Sequence, residues 1–372
     1  MESKIASIPF VNLGAQYLQI RDEYLNLIDE VGKSGQYILG EENLCFEKEL
    51  SEFCESKFAV TVANGSDALF LILKALGIGP GDEVITAPNS FVASAWIIVA
   101  TGATPKYCDV DESYNLDPMM LKEIITERTR AILPVHLAGI PCQIEQICQI
   151  AESRNLFVVE DCAQAIGARF NGRHVGNFGI AGGFSLHPLK NLGVMGDGGF
   201  VTTNDQELAQ KLVLLRNHGL KNRDEMVVWG YNSRLDEMQA ALGRIKLRLL
   251  DQWNERVVEI ADKYKEAFQH ILHLPVVASH ASPVWHNFLV FTDKRDELRS
   301  FLLSRGIETR IHYPIPIHLQ IGHNLSYKKG DFPNSEYQSN NSLSLPIYPS
   351  LSDFQVSKII ETVLEFALLE LS

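Results

Sequence analysis

From Phe58 to Val159, short runs of apolar and β-branched residues alternate with amphipathic stretches. The strand-like runs are Phe58–Val62, Glu83–Thr86, Thr104–Cys108, Ala131–Val135 and Leu156–Val159. Between them lie helix-like Asp67–Leu76, Phe91–Thr101, Asp117–Thr126 and Gln143–Ser153. A strand followed by a helix returns the chain to the same edge of a sheet, so repetition of the unit builds parallel pairing. Val84-Ile85-Thr86 and Phe157-Val158-Val159 lack polar alternation, as strands do when helices cover both faces. The expectation is an α/β fold with a mostly parallel central sheet.

The pattern changes between Ala181 and Thr203, where Gly182–Leu186 and Gly198–Thr202 read as two short strands joined by a glycine-rich, proline-bearing connection. Asp205–His218 reads as a helix and Leu235–Val257 as one long helix. Beyond it come a strand near His286–Phe291, a helix near Arg295–Leu303, a strand near Glu308–Ile311 and an amphipathic helix over Ser352–Leu369. Another helix is expected over Gln16–Val31. The 372 residues suit about two domains. We divide them into a large domain, residues 1–245, and a smaller C-terminal α+β domain, residues 246–372.

Apolar residues are 46% of the chain and charged residues 21%, the balance of a globular protein rather than a disordered one. The net charge of −13 opposes binding to a phosphate backbone, which requires clustered Lys and Arg, so no nucleic-acid partner is expected. The N-terminus has no apolar secretory core, and no apolar run approaches the roughly 18 residues that span a bilayer. Six cysteines without a C-x-x-C pair indicate a reducing compartment, expected to be the cytoplasm, and no zinc site. Without a leader, the sequons at Asn64, Asn324 and Asn340 carry no glycan information.

Gly77-Ile78-Gly79-Pro80-Gly81-Asp82 lacks dinucleotide-fingerprint spacing and follows a helix, so it reads as a turn; no phosphate-binding P-loop is present either. Three other segments carry chemistry. Asn64-Gly65-Ser66-Asp67, between a strand and a helix, is either an ordinary helix cap or a seat for an anion at the helix's positive end. Glu160-Asp161-Cys162-Ala163-Gln164 ends an apolar strand at the sheet edge where α/β proteins bind ligands; Asp161 either caps the next element or pairs with a protonated ring nitrogen. Ser185-Leu186-His187-Pro188-Leu189-Lys190 places a lone lysine in an apolar, glycine-flanked segment, as a surface residue or as a desolvated amine able to form a Schiff base. His187 either assists a proton transfer or satisfies its loop. An anion seat, a ring-nitrogen acid and an imine-forming lysine, in that order, match the phosphate, pyridine and aldehyde of pyridoxal 5'-phosphate (PLP).

The chain resembles the DegT/DnrJ/EryC1/StrS sugar aminotransferases, which have the aspartate aminotransferase-type fold (fold type I). The resemblance runs from Ile8-Pro9-Phe10-Val11-Asn12-Leu13 and Tyr37-Ile38-Leu39-Gly40, through the three segments above, to Gly230-Tyr231-Asn232-Ser233-Arg234-Leu235-Asp236-Glu237. It implies Lys190 as the Schiff-base lysine, Asp161 as partner of the pyridine nitrogen and Gln164 near the ring hydroxyl. It also implies Ser66, Asp67 and Ser185 on the phosphate, Phe91 stacked on the ring, and Asn232 reaching the phosphate of a neighbouring subunit in a homodimer with shared sites. The candidate catalytic residues are therefore Lys190, Asp161 and His187. His187-Pro188-Leu189 and Cys162 depart from the common pattern and blur the substrate, not the cofactor.

The implied reaction moves an amino group from a donor such as L-glutamate to a keto sugar, by way of the pyridoxamine 5'-phosphate form. The acceptor expected is a 3-keto or 4-keto 6-deoxyhexose linked to dTDP, UDP or GDP, feeding a surface glycan such as the lipopolysaccharide O-antigen, or a glycoside. A keto-octulosonate or a cyclitol such as scyllo-inosose stays open. A PLP-dependent sugar dehydratase would carry a histidine in place of Lys190, and a non-catalytic regulator would have no need of the intact set. His312, Tyr313 and His318 lie in a proline-rich loop without carboxylate or cysteine, so they are read as substrate-cleft candidates rather than metal ligands.

Overall fold

The computed structural model describes residues 7–323 and 325–370; the sequon at Asn324 and the first six residues of the stretch read for a leader lie outside them. The large sheet is built from β1 (Phe58–Val62), β2 (Glu83–Thr86), β3 (Thr104–Tyr107), β4 (Thr129–Ile132), β5 (Phe157–Asp161), β8 (Ala181–Ser185) and β9 (Gly199–Thr203). Between β5 and β8 lies a hairpin of two-residue strands, β6 (Arg169–Phe170) and β7 (Arg173–His174). The sheet order is β1-β9-β8-β5-β4-β2-β3. The pairs from β3 across to β8 are parallel, whereas β9 runs antiparallel to both β8 and β1. The mostly parallel sheet is as expected, and the glycine-rich stretch after Ala181 supplies its antiparallel insertion.

Helices α2 (Glu41–Phe53), α3 (Gly65–Ala75), α4 (Ala93–Thr101), α6 (Ile144–Ser153) and α7 (Gln206–Leu215) pack on this sheet, α8 (Glu237–Leu247) packs on α2 and α1 (Leu13–Ser34) on α8, and α5 (Leu121–Ile124) precedes β4. Beyond α9 (Leu250–Phe268), β10 (Ala281–Ser282) pairs with β6, and β11 (Phe288–Phe291) pairs antiparallel with β12 (Ser342–Leu345). Helices α10 (Arg295–Ser304), α11 (Pro333–Asn341) and α12 (Asp353–Glu370) complete the chain. One apolar cluster joins Val62, Leu69, Ile72 and Val159 between the sheet and α3, and a second joins Phe46, Leu50, Phe184 and Leu242 on the side of α2 and α8. A third runs from Ile85 and Ile132 to Tyr264, Phe288 and Ile359, so the C-terminal elements share a core with the edge of the large sheet. Among the described residues no helix is long and apolar enough to cross a membrane.

Three expectations are corrected. The long helix expected over Leu235–Val257 is two helices with an elbow at Arg248-Leu249. Their faces explain the break: α8 buries Leu242 and Ile245 against the α2 cluster, while α9 buries Val257, Ile260 and Tyr264 in the third cluster, and one straight helix cannot face both. The segment Glu308–Ile311 is no strand, because it divides its backbone bonds between Ile8 and Ser344. The helix expected over Asp117–Thr126 shrinks to the four residues of α5, since Asp117 accepts the Met119 N–H at 2.8 Å and closes a turn instead.

Candidate active site

Two adjacent parallel strands and one helix start meet at a single edge of the sheet. Strand β5 ends in Asp161, β8 ends in Ser185, and α3 begins at Gly65 because extended Asn64 caps it, its side chain accepting the Asp67 N–H at 2.8 Å. Against them lies a cleft of about 460 Å³, lined by Ser66, Phe91, Asp161, Gln164, Ser185, His187, Lys190, His312 and Tyr313 among others. The cleft is thus assembled from residues far apart in sequence, at the edge where open α/β sheets take their ligands.

Asp161 forms the floor. It is buried, and its two carboxylate oxygens accept from the Ser94 hydroxyl at 2.9 Å and the Ala163 N–H at 3.1 Å. Burial pushes its proton affinity above the usual carboxylate range, while those two donors and the positive charge of Lys190 pull in the opposite direction. Lys190 shows the reciprocal effect: burial lowers its amine to about 8, against an upward pull from Asp161. Its backbone N–H donates to the His187 carbonyl at 2.8 Å, so it projects from a tight turn. The Leu189 N–H donates to His187 Nδ1 at 3.3 Å, so that nitrogen is engaged by its own turn.

The wall opposite is aromatic and amide. Gln164 accepts the Ala138 N–H at 2.7 Å and hydrogen-bonds Tyr313, whose phenol burial pushes up. Phe91 stands half exposed with its ring 5.8 Å from that of Tyr313. His312 meets the Ser344 hydroxyl through Nδ1 at 2.8 Å, and burial holds it near 4, a neutral ring at physiological pH.

Three predicted site residues lie outside this cleft. Asp67 turns away from it and accepts the Ser233 hydroxyl at 2.6 Å, clamping the segment that carries Asn232. Asn232 itself is exposed and bridges Asn217, outside the cleft. His318, a substrate candidate, is corrected: it is buried against Phe332 and pairs with Glu336 at 3.2 Å, because the loop after Tyr313 turns inward to a separate aromatic cluster. Ser94, Asp197 and His286 belong to the cleft, and no sequence signal marked them.

Behind the floor, His136, Glu160 and Cys162 lie close together. Glu160 accepts from His136 at 3.1 Å and from the N–H groups of Gly176, Phe178 and Gly179. Burial raises its proton affinity, but His136 and these backbone donors outweigh it and bring the net shift downward. With its oxygens so engaged, the cluster is a strut tying β5 to the approach of β8.

The model of the DegT/DnrJ/EryC1/StrS aminotransferase family matches residues 18–364. The chain belongs to this family. It is 45% identical to a dTDP-3-amino-3,4,6-trideoxy-alpha-D-glucose transaminase of Streptomyces venezuelae, over 97% of this chain and 96% of that one. It is equally 45% identical to a dTDP-3-amino-3,6-dideoxy-alpha-D-galactopyranose transaminase of Aneurinibacillus thermoaerophilus, over 96% and 98%. The crystal structure of Streptomyces venezuelae DesV in complex with a ketimine intermediate superposes with a TM-score of 0.95, at 45% identity and covering 97% and 98% of the two chains. The chain is an aminotransferase with the fold type I architecture, and PLP is its cofactor.

The residues fit that cofactor. A buried acid faces an amine of lowered proton affinity, and an aromatic face stands beside them. At the other end, a Cβ added to Gly65 would lie 2.6 Å from Ser185 Cβ, so the helix start and the strand end meet as closely as a glycine permits. The serines on either side of that contact, Ser66 and Ser185, line the cleft with the first turn of α3, whose N–H groups and dipole suit a phosphate.

Proposed function

We propose that the protein transfers the amino group of L-glutamate to the C3 carbonyl of a nucleotide-linked keto-6-deoxyhexose, dTDP being the nucleotide. The observation that carries this reading is the convergence of Lys190 and Asp161 on one cleft whose far end is lined by Ser66 at the start of α3 and Ser185 at the end of β8. The two dTDP-linked 3-amino sugar transaminases at 45% identity support C3 over C4. When bound, PLP supplies an aldehyde that condenses with amines and a pyridinium that takes up electron density.

The protein's own groups do the rest. An amine lowered to about 8 is neutral in an appreciable fraction near neutral pH, so Lys190 is able both to attack an aldehyde and to carry a proton between substrate carbon and cofactor. Asp161, aimed by Ser94 and Ala163, provides the negative partner that keeps a ring nitrogen protonated. Ser66 and Ser185 are assigned to the phosphate, Phe91 to the ring face and Gln164 to the ring hydroxyl. His187, whose Nδ1 is held by the Leu189 N–H, is assigned to proton exchange at the cleft mouth. Lys190 stands where a dehydratase of this fold would carry histidine.

The proposal extends to a homodimer in which Asn232 completes the neighbouring site, and to a division of the chain at 245/246, supported by the elbow after Leu247. Six unpaired cysteines support a reducing, cytoplasmic setting. The test is release of 2-oxoglutarate from L-glutamate by the PLP-loaded protein, with dTDP-linked 3-keto and 4-keto 6-deoxyhexoses, a UDP-linked 3-keto sugar and a cyclitol ketone supplied in parallel. Turnover with the 3-keto sugar at least about tenfold above the 4-keto isomer is expected. Preference for the 4-keto sugar, for a UDP-linked sugar or for a free cyclitol ketone would replace the substrate; turnover with none of them would overturn the reading.

A further inference from the structure

The turn that presents Lys190 folds back on itself. The Val194 N–H donates to the Leu186 carbonyl at 2.8 Å, and a Cβ on Gly193 would lie 2.5 Å from the Pro188 carbonyl oxygen and 2.8 Å from that of His187. Two side chains from outside pin the closed turn. Asn191 donates to Asn254 at 3.0 Å and to the Val284 carbonyl at 3.1 Å, and Lys246 Nζ donates to the Gly193 carbonyl at 2.6 Å. Lys246 stands near the end of α8 and Asn254 near the start of α9, so the turn hangs from both sides of the elbow.

Lys246 is only 4% exposed, and among the described residues no carboxylate contributes to its environment. A buried ammonium without a counter-ion is costly, and an apolar side chain of similar length would fill the same space. What the ammonium supplies is a donor to the buried Gly193 carbonyl, which otherwise is left unpaired or must rotate toward another partner. Rotation of that peptide would carry the turn, and Lys190 with it.

We propose that Lys246 is a positioning residue for Lys190, acting through the Gly193 carbonyl. The proposal rests on the reading of Lys190 as the cofactor-binding amine. Its test uses the PLP-loaded protein with Lys246→Met and Lys246→Gln, and reads cofactor content, the circular dichroism of the bound cofactor's visible band, and the single-turnover half-reaction with glutamate, whose limiting rate and half-saturating glutamate concentration are written kcat and KM. The Met variant should stay loaded, lose half or more of the dichroism and fall about tenfold in kcat, with KM held within about twofold, since small misplacements of a reacting group act on turnover. The Gln variant, neutral but still a donor, should lie between Met and the parent. Parental dichroism and kcat in the Met variant overturn the proposal, as does a rise in KM alone. Should the Met variant fail to fold, the Gln variant decides: reduced dichroism at unchanged KM supports the role, and parental values sink it. Lys190→Ala separates the two readings, because a borohydride-fixable cofactor in that variant would refute the assignment of Lys190 whatever Lys246 does.

Discussion

Burial sets the proton affinities of Asp161 and Lys190, the charge of each pulls against that shift in the other, and this coupling is measurable before any sugar is supplied. Burial lowers Lys190 to about 8, and the charge of Asp161 pulls it upward. Since the neutral amine is the nucleophile, the rate at which the cofactor-free protein captures PLP should rise with pH through a midpoint near 8. In Asp161→Asn the upward pull is gone, so the midpoint should move to lower pH while transamination falls by about 100-fold or more. Stopped-flow capture between pH 6 and 9 checks this; an unmoved midpoint, or one moved to higher pH, would show that the two groups are not coupled. These residues were legible because each is chemically odd for its place: an acid ending an apolar strand, and a lysine in an apolar turn. Ser94 was not. It contacts Asp161 from 67 positions away, and a serine within a helix-like stretch carries no signal of which way it faces. His318 misled for the same reason, since spacing within a loop says nothing of which side chain turns toward the cleft and which toward Glu336.

The start of α3 makes the strongest demand at the level of elements. Gly65 is not among the residues of positive φ, so its backbone would accept alanine; what forbids a Cβ is Ser185, 2.6 Å away at the end of β8. Alanine would gain up to about 1 kcal/mol in helix propensity, but overpacking at so close a contact costs about 1–3 kcal/mol, so the steric effect should win. Gly65→Ala should therefore lower the melting temperature of the cofactor-free protein and weaken PLP about tenfold, as read by thermal unfolding and by titration of the visible band. A higher melting temperature with parental affinity would show that the helix and strand can part without cost to the seat. The strands were legible where burial on both faces removed polar alternation, and β1 and β2 coincide with Phe58–Val62 and Glu83–Thr86. Where partner choice decides structure, sequence was mute: α8 and α9 part because two cores claim them, and Glu308–Ile311 splits its bonds between Ile8 and Ser344.

At the scale of the whole molecule, an exposed apolar run lies beside Asn232. Met226, Val227 and Val228 are each at least 40% exposed and Trp229 is 83% exposed, an apolar run on a chain whose net charge is −13. Isolated apolar residues on a surface need no explanation, whereas a run of four is what a covering partner would bury. Asp67 holds Ser233 at 2.6 Å, so the segment is anchored at its base while Asn232 faces away from its own cleft. If a second copy covers the run, Asn232 serves the partner's site rather than its own. Mixing two crippled chains distinguishes the arrangements. Lys190→Ala and Asn232→Ala homodimers should each be strongly impaired. A dimer containing one of each has one site with the intact lysine of one chain and the intact asparagine of the other, provided that Asn232 acts across the interface. Random reassembly of equal amounts then restores about a quarter of parental activity, half of the dimers being mixed and each holding one good site. If Asn232 acts within its own chain, no site in the mixture is whole and activity stays at the level of the separate variants. Adding Trp229→Asp to both chains should abolish the restoration and halve the sedimenting mass, because the charge would be buried unpaired in the covered face.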